Sequence, residues 1–337
     1  EHLATRSNAA LFDLTPFAKL DVEGPDALAY LERICANRID RPVGTIVYTA
    51  MLTDSGGIRC DLTIARKGEE LFRVVTGGGS GQHDLAWMRR QIGAHERVRI
   101  TERTGSLFAL GLWGPRAREI LGAVTDADLG NDAFPYMSAR YLHVGEVGPV
   151  WAQRISYAGE LGWELYGQFA MGDRTWDLLW GAGREHGLVA AGLGAFDTLR
   201  LEKGYRLWGQ DIDTEHDPFE AGLGFAVKMD KGECQGREAL AAVLEGGPTE
   251  KLACITLDDP AAVVLGKEPI RSGERVVGYA TSAGYGYSVG RCIVYGYLPV
   301  ELAVPGTPVE VEYFDERLPA TVAEDPLWDP KGERLRA

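Results

Sequence analysis

Ile46-Val47-Tyr48-Thr49-Ala50-Met51-Leu52 and Ile58-Arg59-Cys60-Asp61-Leu62-Thr63-Ile64-Ala65 are two β-rich runs separated by Thr53-Asp54-Ser55-Gly56-Gly57. A turn cluster of that composition between such runs predicts a hairpin. In the second run Cys60, Leu62 and Ile64 share one face by the period of two, and Arg59, Asp61, Thr63 and Ala65 share the other. Aspartate is disfavoured inside strands. Either the Asp61 face is wet, or its carboxylate lines a pocket.

Working outward, strand and helix patterns alternate on both sides of the hairpin. Ala18 to Val22 reads as a strand ended by Gly24-Pro25, with Asp26 placed to cap a helix from Ala27 to Ala36. Leu71 to Thr76 and Val98 to Thr104 extend the sheet, and Gly77 to Gly81 leads into a helix over 83–92. Further strands are expected at 107–113, 150–156 and 162–166. Helices are expected after Gly114-Pro115, at 173–185 and at 195–203. Glu245-Gly-Gly-Pro-Thr-Glu250 is a linker-like break. Beyond it the runs 276–279, 288–297, 309–313 and 318–322 carry strand composition, which points to a small closed or sandwiched β-unit. The whole reads as α+β.

Composition narrows the function. The 337 residues contain 35 Lys and Arg against 49 Asp and Glu, a net charge of -14. That balance argues against nucleic acid and against an anionic membrane surface as partners. No apolar run reaches the length of a membrane span, and the first residues show no secretory core. The absent initiator methionine suggests a trimmed chain or a piece of a longer one. Five cysteines, with no C-x-x-C pair, read as reduced thiols of a cytosol-like compartment, so a cytoplasmic location is expected, or the mitochondrial matrix in a eukaryote. The six histidines lack metal-ligand spacing, so no metal is expected.

Three other stretches could carry chemistry. Gly77-Gly78-Gly79-Ser80-Gly81 sits where phosphate loops sit, but it lacks a Walker pattern and a dinucleotide fingerprint, so a tight turn is the expectation. The stretch Arg154 to Tyr166 is dense in groups that recognise flat polar rings. Within it Gly162, Glu164 and Tyr166 would share one strand face, with Trp163 and Leu165 on the other. A fixed glutamate there could accept two N–H bonds from an amino-pyrimidine edge, or the run is a plain amphipathic strand. Arg200, Lys203 and Arg206 recur at a spacing of three. They could meet an anionic tail, but a solvated basic face is the expected reading.

Taken together, these segments resemble the tetrahydrofolate-binding aminomethyltransferase family, typified by the glycine-cleavage T-protein. The resemblance rests on Leu52 to Leu62, on Leu112-Trp113-Gly114-Pro115-Arg116-Ala117, on Tyr157 to Tyr166 and on Gly194 to Gly204, in that order. It is closest to the C-terminal folate half of dimethylglycine oxidases and dehydrogenases. Trp208 to Asp211, Glu215 to Met229 and the end from Glu324 to Arg336 are very similar to those enzymes. Sarcosine dehydrogenases are more distant.

The resemblance implies a three-part fold: residues 1–15 plus 107–245 as a folate-binding α+β domain, 16–106 as a second α+β domain, and 246–337 as an all-β barrel or jelly roll. It implies Asp61 as the catalytic aspartate, and Tyr48, Tyr157, Glu164 and Tyr166 as cofactor-binding residues, with Glu164 on the pterin. The implied activity is capture of a one-carbon unit, from an iminium of an oxidised N-methyl amine of the dimethylglycine or sarcosine type, as methylenetetrahydrofolate. FAD is then expected only on a separate or missing N-terminal oxidoreductase module. The alternatives are a folate-binding regulatory protein without transfer chemistry, or a direct folate-dependent demethylase. Two departures stand out: Phe196 replaces the arginine usual in T-proteins, and Gly77 or Gly78 replaces their asparagine. The first leaves the counter-ion of the folate tail unassigned.

Overall fold

The structure is a computed structural model that describes residues 1–337. The hairpin forms as read: strands Ile46–Leu52 and Ile58–Gly68 pair antiparallel. Its turn closes with the Thr53 N–H donating to the Gly57 carbonyl and the Gly57 N–H donating to Thr53 Oγ1, at 2.8 and 3.0 Å. A Cβ at Gly57 would lie 1.9 Å from the Thr214 carbonyl oxygen, so only glycine lets the 214–216 loop approach and receive the N–H of Ile58.

Around this hairpin runs a five-stranded antiparallel sheet in the order Ile46–Leu52, Ile58–Gly68, Leu71–Thr76, Ala18–Glu23, Arg99–Glu102. One face packs Leu62, Ile64, Phe72 and Val74 against Tyr30, Leu31 and Ile34 of helix Ala27–Ile34 and Leu85 and Met88 of helix Gly81–Arg90. Asp26 precedes the first helix but makes no cap bond; its carboxylate accepts from Arg97 instead.

A second sheet has six strands, in the order Leu188–Ala191, Ala9–Asp13, Leu107–Trp113, Gly162–Gln168, Gly148–Gln153, Ala139–Val144; only the first pair is parallel. Helices Ala117–Gly122 and Gly172–Gly183 cover one face through Leu110, Leu112, Trp163 and Leu165. The opposite faces of the two sheets meet. Phe12, Trp113 and Tyr166 of the six-stranded sheet share a core with Ile46, Ala65 and Val75 of the five-stranded one.

The chain after helix Arg237–Gly246 forms a closed barrel of six antiparallel strands: Glu250–Leu257, Arg291–Pro299, Arg275–Gly286, Pro269–Ser272, Pro308–Tyr313, Glu316–Val322. The expected barrel or jelly roll is thus a barrel. Helix Leu193–Glu202 docks on its strand Arg275–Gly286. No helix is long and apolar enough to cross a membrane. The five cysteines are unpaired.

Candidate functional site

Where the two sheets face each other, and stretches of residues 193–228 and 325–336 close over them, a cavity of about 1600 Å³ opens. Tyr48, Asp61, Tyr157, Glu164 and Tyr166, named from the sequence, all line it. The structure brings the five together from two sheets and one turn.

Asp61 projects from the face opposite Cys60, Leu62 and Ile64, which are in the core. Its carboxylate therefore meets a pocket and not open solvent. Tyr48 Oη donates to Asp61 Oδ2 at 3.0 Å from the neighbouring strand. The Tyr48 ring is stacked with Phe225 at 5.9 Å, and Phe225 is largely exposed. Burial raises the Asp61 carboxyl to about 6, against the lowering effect of the Tyr48 hydrogen bond. A carboxyl poised there can hold or accept a proton near neutral pH.

Glu164 repeats the device on the other sheet. It lies in strand Gly162–Gln168 between Trp163 and Leu165, whose side chains enter the core on the other face. Tyr166, two residues on, donates to Glu164 Oε2 at 2.5 Å. No cation pairs with the carboxyl, and burial raises it to about 7. A buried carboxyl with one donor has lone pairs to spare for a ligand's N–H groups.

Tyr157 closes a third side. Its hydroxyl donates to the Arg206 carbonyl at 2.8 Å. Its ring stacks on Phe196 at 4.8 Å and leans on Tyr205 at 5.6 Å. Phe196 also contacts Phe12, Phe17 and Trp113, so this wall is aromatic.

The cavity lining inverts the charge of the chain. Eight Lys and Arg (Arg38, Arg41, Arg200, Lys203, Arg206, Lys228, Lys331, Arg336) stand against four acids (Asp61, Glu164, Asp197, Asp325), where the chain as a whole is acidic. The basic stripe expected to be solvated is buried: Arg200, Lys203 and Arg206 are all under a tenth exposed. Each is neutralised by an acid distant in sequence or in the following loop. Arg200 pairs with Asp211 at 2.7 Å, Lys203 with Asp329 at 3.1 Å and Arg206 with Asp325 at 2.7 Å. A cation can be buried only with such pairing; Asp197, three residues before Arg200, also pairs with it at 2.8 Å, but the other acids could not be matched to the stripe by spacing. Arg41, Lys228, Lys331 and Arg336 make no ion pair, and their charge is available to an anion, although Arg336 Nη1 also donates to the Lys331 and Gly332 carbonyls. Sequence reasoning missed these four; only the charge inversion of the cavity singles them out.

The glycine loop is the tight turn expected. A Cβ at Gly78 would lie 2.5 Å from the Pro16 carbonyl oxygen, so backbone packing demands glycine there. Gly77 to Ser80 nevertheless line the cavity. No cluster of three or more His, Cys, Asp or Glu is arranged to hold a metal ion.

This architecture has a known class. The GCVT N-terminal domain matches residues 1–231, and the glycine cleavage T-protein C-terminal barrel domain matches residues 250–329. The chain belongs to this aminomethyltransferase family of enzymes. Within it, the chain is 35% identical to an aminomethyltransferase of Symbiobacterium thermophilum, over 97% of this chain and 88% of that protein. It is 35% identical to the mitochondrial dimethylglycine dehydrogenase of Rattus norvegicus, and 37% identical to the formaldehyde-forming 4-methylaminobutanoate oxidase of Paenarthrobacter nicotinovorans. Those two matches cover all of this chain but only 39% and 40% of the relatives, so the chain spans about two fifths of their length. Among solved structures, the glycine cleavage aminomethyltransferase of Bartonella henselae superposes with a TM-score of 0.88 at 27% identity, covering 98% of this chain and 89% of that one.

Proposed function

We propose that the chain is the folate module of a larger FAD-dependent oxidoreductase, and that it transfers the one-carbon unit of an oxidised N-methyl amine to tetrahydrofolate. The observation that carries the reading is Glu164: a carboxyl without a cation, in an aromatic cavity, with lone pairs free to accept the paired N–H donors of an amino-pyrimidine edge. Tyr157 and Phe196 offer a flat apolar wall to a ring. The unpaired cations Arg41, Lys228, Lys331 and Arg336 suit the anionic end of the same ligand. The cavity volume is ample for such a molecule.

The chemistry supplied by bound tetrahydrofolate is a nucleophilic nitrogen that takes up the one-carbon unit. The residues of this chain do the rest. Glu164 and Tyr166 hold the ring edge, and Tyr157 orients its face. Asp61, with Tyr48 fixing one carboxylate oxygen, accepts the proton that the attacking nitrogen sheds and steadies transient positive charge. The closed aromatic wall limits water, which would hydrolyse an iminium to formaldehyde. FAD belongs to a partner module, in line with relatives named dehydrogenase and oxidase that are more than twice as long. The two sheets and the barrel support a division at residues 15/16, 106/107 and 245/246 into three units. An anaerobic calorimetric titration with tetrahydrofolate, run beside Glu164→Ala, tests the reading. Binding that the variant loses supports it, and no binding by the unsubstituted chain refutes it for this chain.

A further inference from the structure

The last residues, from Ala323 to Ala337, form neither helix nor strand, yet they are tied down along their length. Asp325 accepts from Tyr295 and Arg206. Asp329 pairs with Lys203, and the Ala337 carbonyl accepts from Arg118 and Arg154 at 2.7 and 3.0 Å. The segment thus runs from the barrel back to the six-stranded sheet. Pro326, Pro330, Lys331, Leu335 and Arg336 form part of the cavity wall.

One buried group joins this segment to the ring-binding turn. Glu160 is 1% exposed and lies between Tyr157 and Glu164 in sequence. Its Oε1 accepts from Arg6 at 3.0 Å and from Trp328 Nε1 at 3.0 Å, and its Oε2 accepts from Arg334 Nε at 2.7 Å. Arg6 also donates to the Ala158 carbonyl at 2.6 Å and pairs with Glu202 at 3.0 Å. The turn itself is wound on Ser156 Oγ, which accepts the N–H groups of Ala158, Gly159 and Glu160. One carboxylate therefore collects donors from the first helix and from the C-terminal segment, and it does so from the backbone that carries Tyr157 and Glu164.

We propose that Glu160 is a positioning residue of the folate site: through Arg334 and Trp328 it locks the C-terminal wall of the cavity against the turn that presents Tyr157 and leads into the strand of Glu164. The proposal rests on the folate reading above. Glu160 touches no ligand itself. It faces two guanidiniums and an indole, leaving no room to accept from a ring. Removing one guanidinium leaves a buried charge under-compensated, so the contact between the turn and the C-terminal segment must readjust. A displacement on the order of an ångström at the ring-binding groups is enough to cost affinity or rate heavily.

Arg334 is the lever for a test, because its side chain is over a third exposed whereas Glu160 is buried. Arg334→Ala, Arg334→Lys and Glu160→Gln are compared with Arg317→Ala, an exposed barrel arginine paired with Glu274. Two readouts are taken: the tetrahydrofolate dissociation constant, and amide hydrogen exchange of residues 157–164 and 325–336 without ligand. Arg334→Ala and Glu160→Gln are expected to weaken binding about tenfold or more and to speed exchange in both segments. Arg334→Lys is expected to recover part of both, and Arg317→Ala to change neither. Equal affinity in wild type and Arg334→Ala, or exchange unchanged in 157–164, overturns the proposal and leaves the folate reading standing. No binding by the unsubstituted chain overturns both.

Discussion

Binding of tetrahydrofolate should weaken as pH falls, and Glu164 should be the cause. To accept N–H donors, the carboxyl must be ionised. In the free protein burial holds it at about 7 with no cation to lower it. The sign follows directly: a group protonated at low pH must lose its proton before it can bind, so affinity is full above about pH 8 and falls as pH drops through 7. The free fraction ionised is roughly nine tenths at pH 8, half at pH 7 and one tenth at pH 6, so the dissociation constant should rise about tenfold between pH 8 and pH 6. Binding at pH 7 should release about half a proton per site. Anaerobic calorimetry at pH 6, 7 and 8, in buffers of different ionisation enthalpy, reads both quantities. Glu164→Gln should flatten the pH dependence. It should also cost about 1.5–3 kcal/mol, the worth of a charge-assisted hydrogen bond. An affinity constant from pH 6 to 8, with no buffer-dependent enthalpy, would refute the reasoning. So would a Glu164→Gln variant that keeps the full pH dependence, since the titrating group would then be another, with Asp61 the first to suspect.

Asp61→Asn should keep tetrahydrofolate affinity within a few fold and lose turnover by about 10²- to 10⁴-fold, read as methylenetetrahydrofolate formed from formaldehyde or an iminium source. In the unsubstituted chain that rate should rise with pH through about 6, because the proposed proton acceptor is the ionised Asp61 carboxyl. Tyr48→Phe removes the hydrogen bond that lowers the Asp61 carboxyl, so the acid limb of the pH–rate profile should move to higher pH; a stationary limb would separate Tyr48 from the chemistry. Gly78→Ala should destabilise the chain by about 1–3 kcal/mol in thermal unfolding, since its Cβ meets the Pro16 carbonyl at 2.5 Å. Arg200→Ala should cost about 3–5 kcal/mol, because it strands the buried carboxylate of Asp211, and the double variant with Asp211→Asn should recover part of the loss.

The strands around the site were legible because their residues obey one simple period. Ile46–Leu52, Leu71–Thr76 and Leu107–Trp113 have the bounds their composition predicts. Ala139–Val144, Leu188–Ala191 and the barrel strand Glu250–Leu257 were not foreseen, and neither was helix Arg237–Gly246. Leu188–Ala191 is four residues long and is defined by a parallel partner, Ala9–Asp13, far away in the chain. The Tyr48–Asp61 pair shows a subtler limit. The hairpin turn sets Leu52 opposite Ile58, and simple counting would then place Tyr48 opposite Leu62, facing away from Asp61. A register shift between Met51 and Leu52 puts Ala50 opposite Asp61 and Tyr48 opposite Thr63, on the aspartate's own face. One extra residue in a strand decides whether the pair exists, and nothing in the composition of the run announces it.

The arrangement of charge in the cavity also sets the orientation of whatever enters it. Arg200, Lys203 and Arg206 could have served as counter-ions to Asp61 and Glu164, and would then have held both carboxyls ionised. Instead each is bound to another acid, and each of the two cavity-lining carboxyls keeps only a tyrosine. The unpaired Arg41, Lys331 and Arg336 are exposed, whereas Asp61 and Glu164 are largely enclosed. A ligand with an N–H-rich ring at one end and carboxylates at the other is therefore accepted in one direction. Ring first, its donors meet Glu164 and its anions meet the exposed cations. Anion first, it would bury like charges beside two carboxyls without a cation between them, at a cost of several kcal/mol. On the proposed reading, the same separation leaves Asp61 uncompensated until positive charge develops beside it, which is the moment at which a proton acceptor is needed.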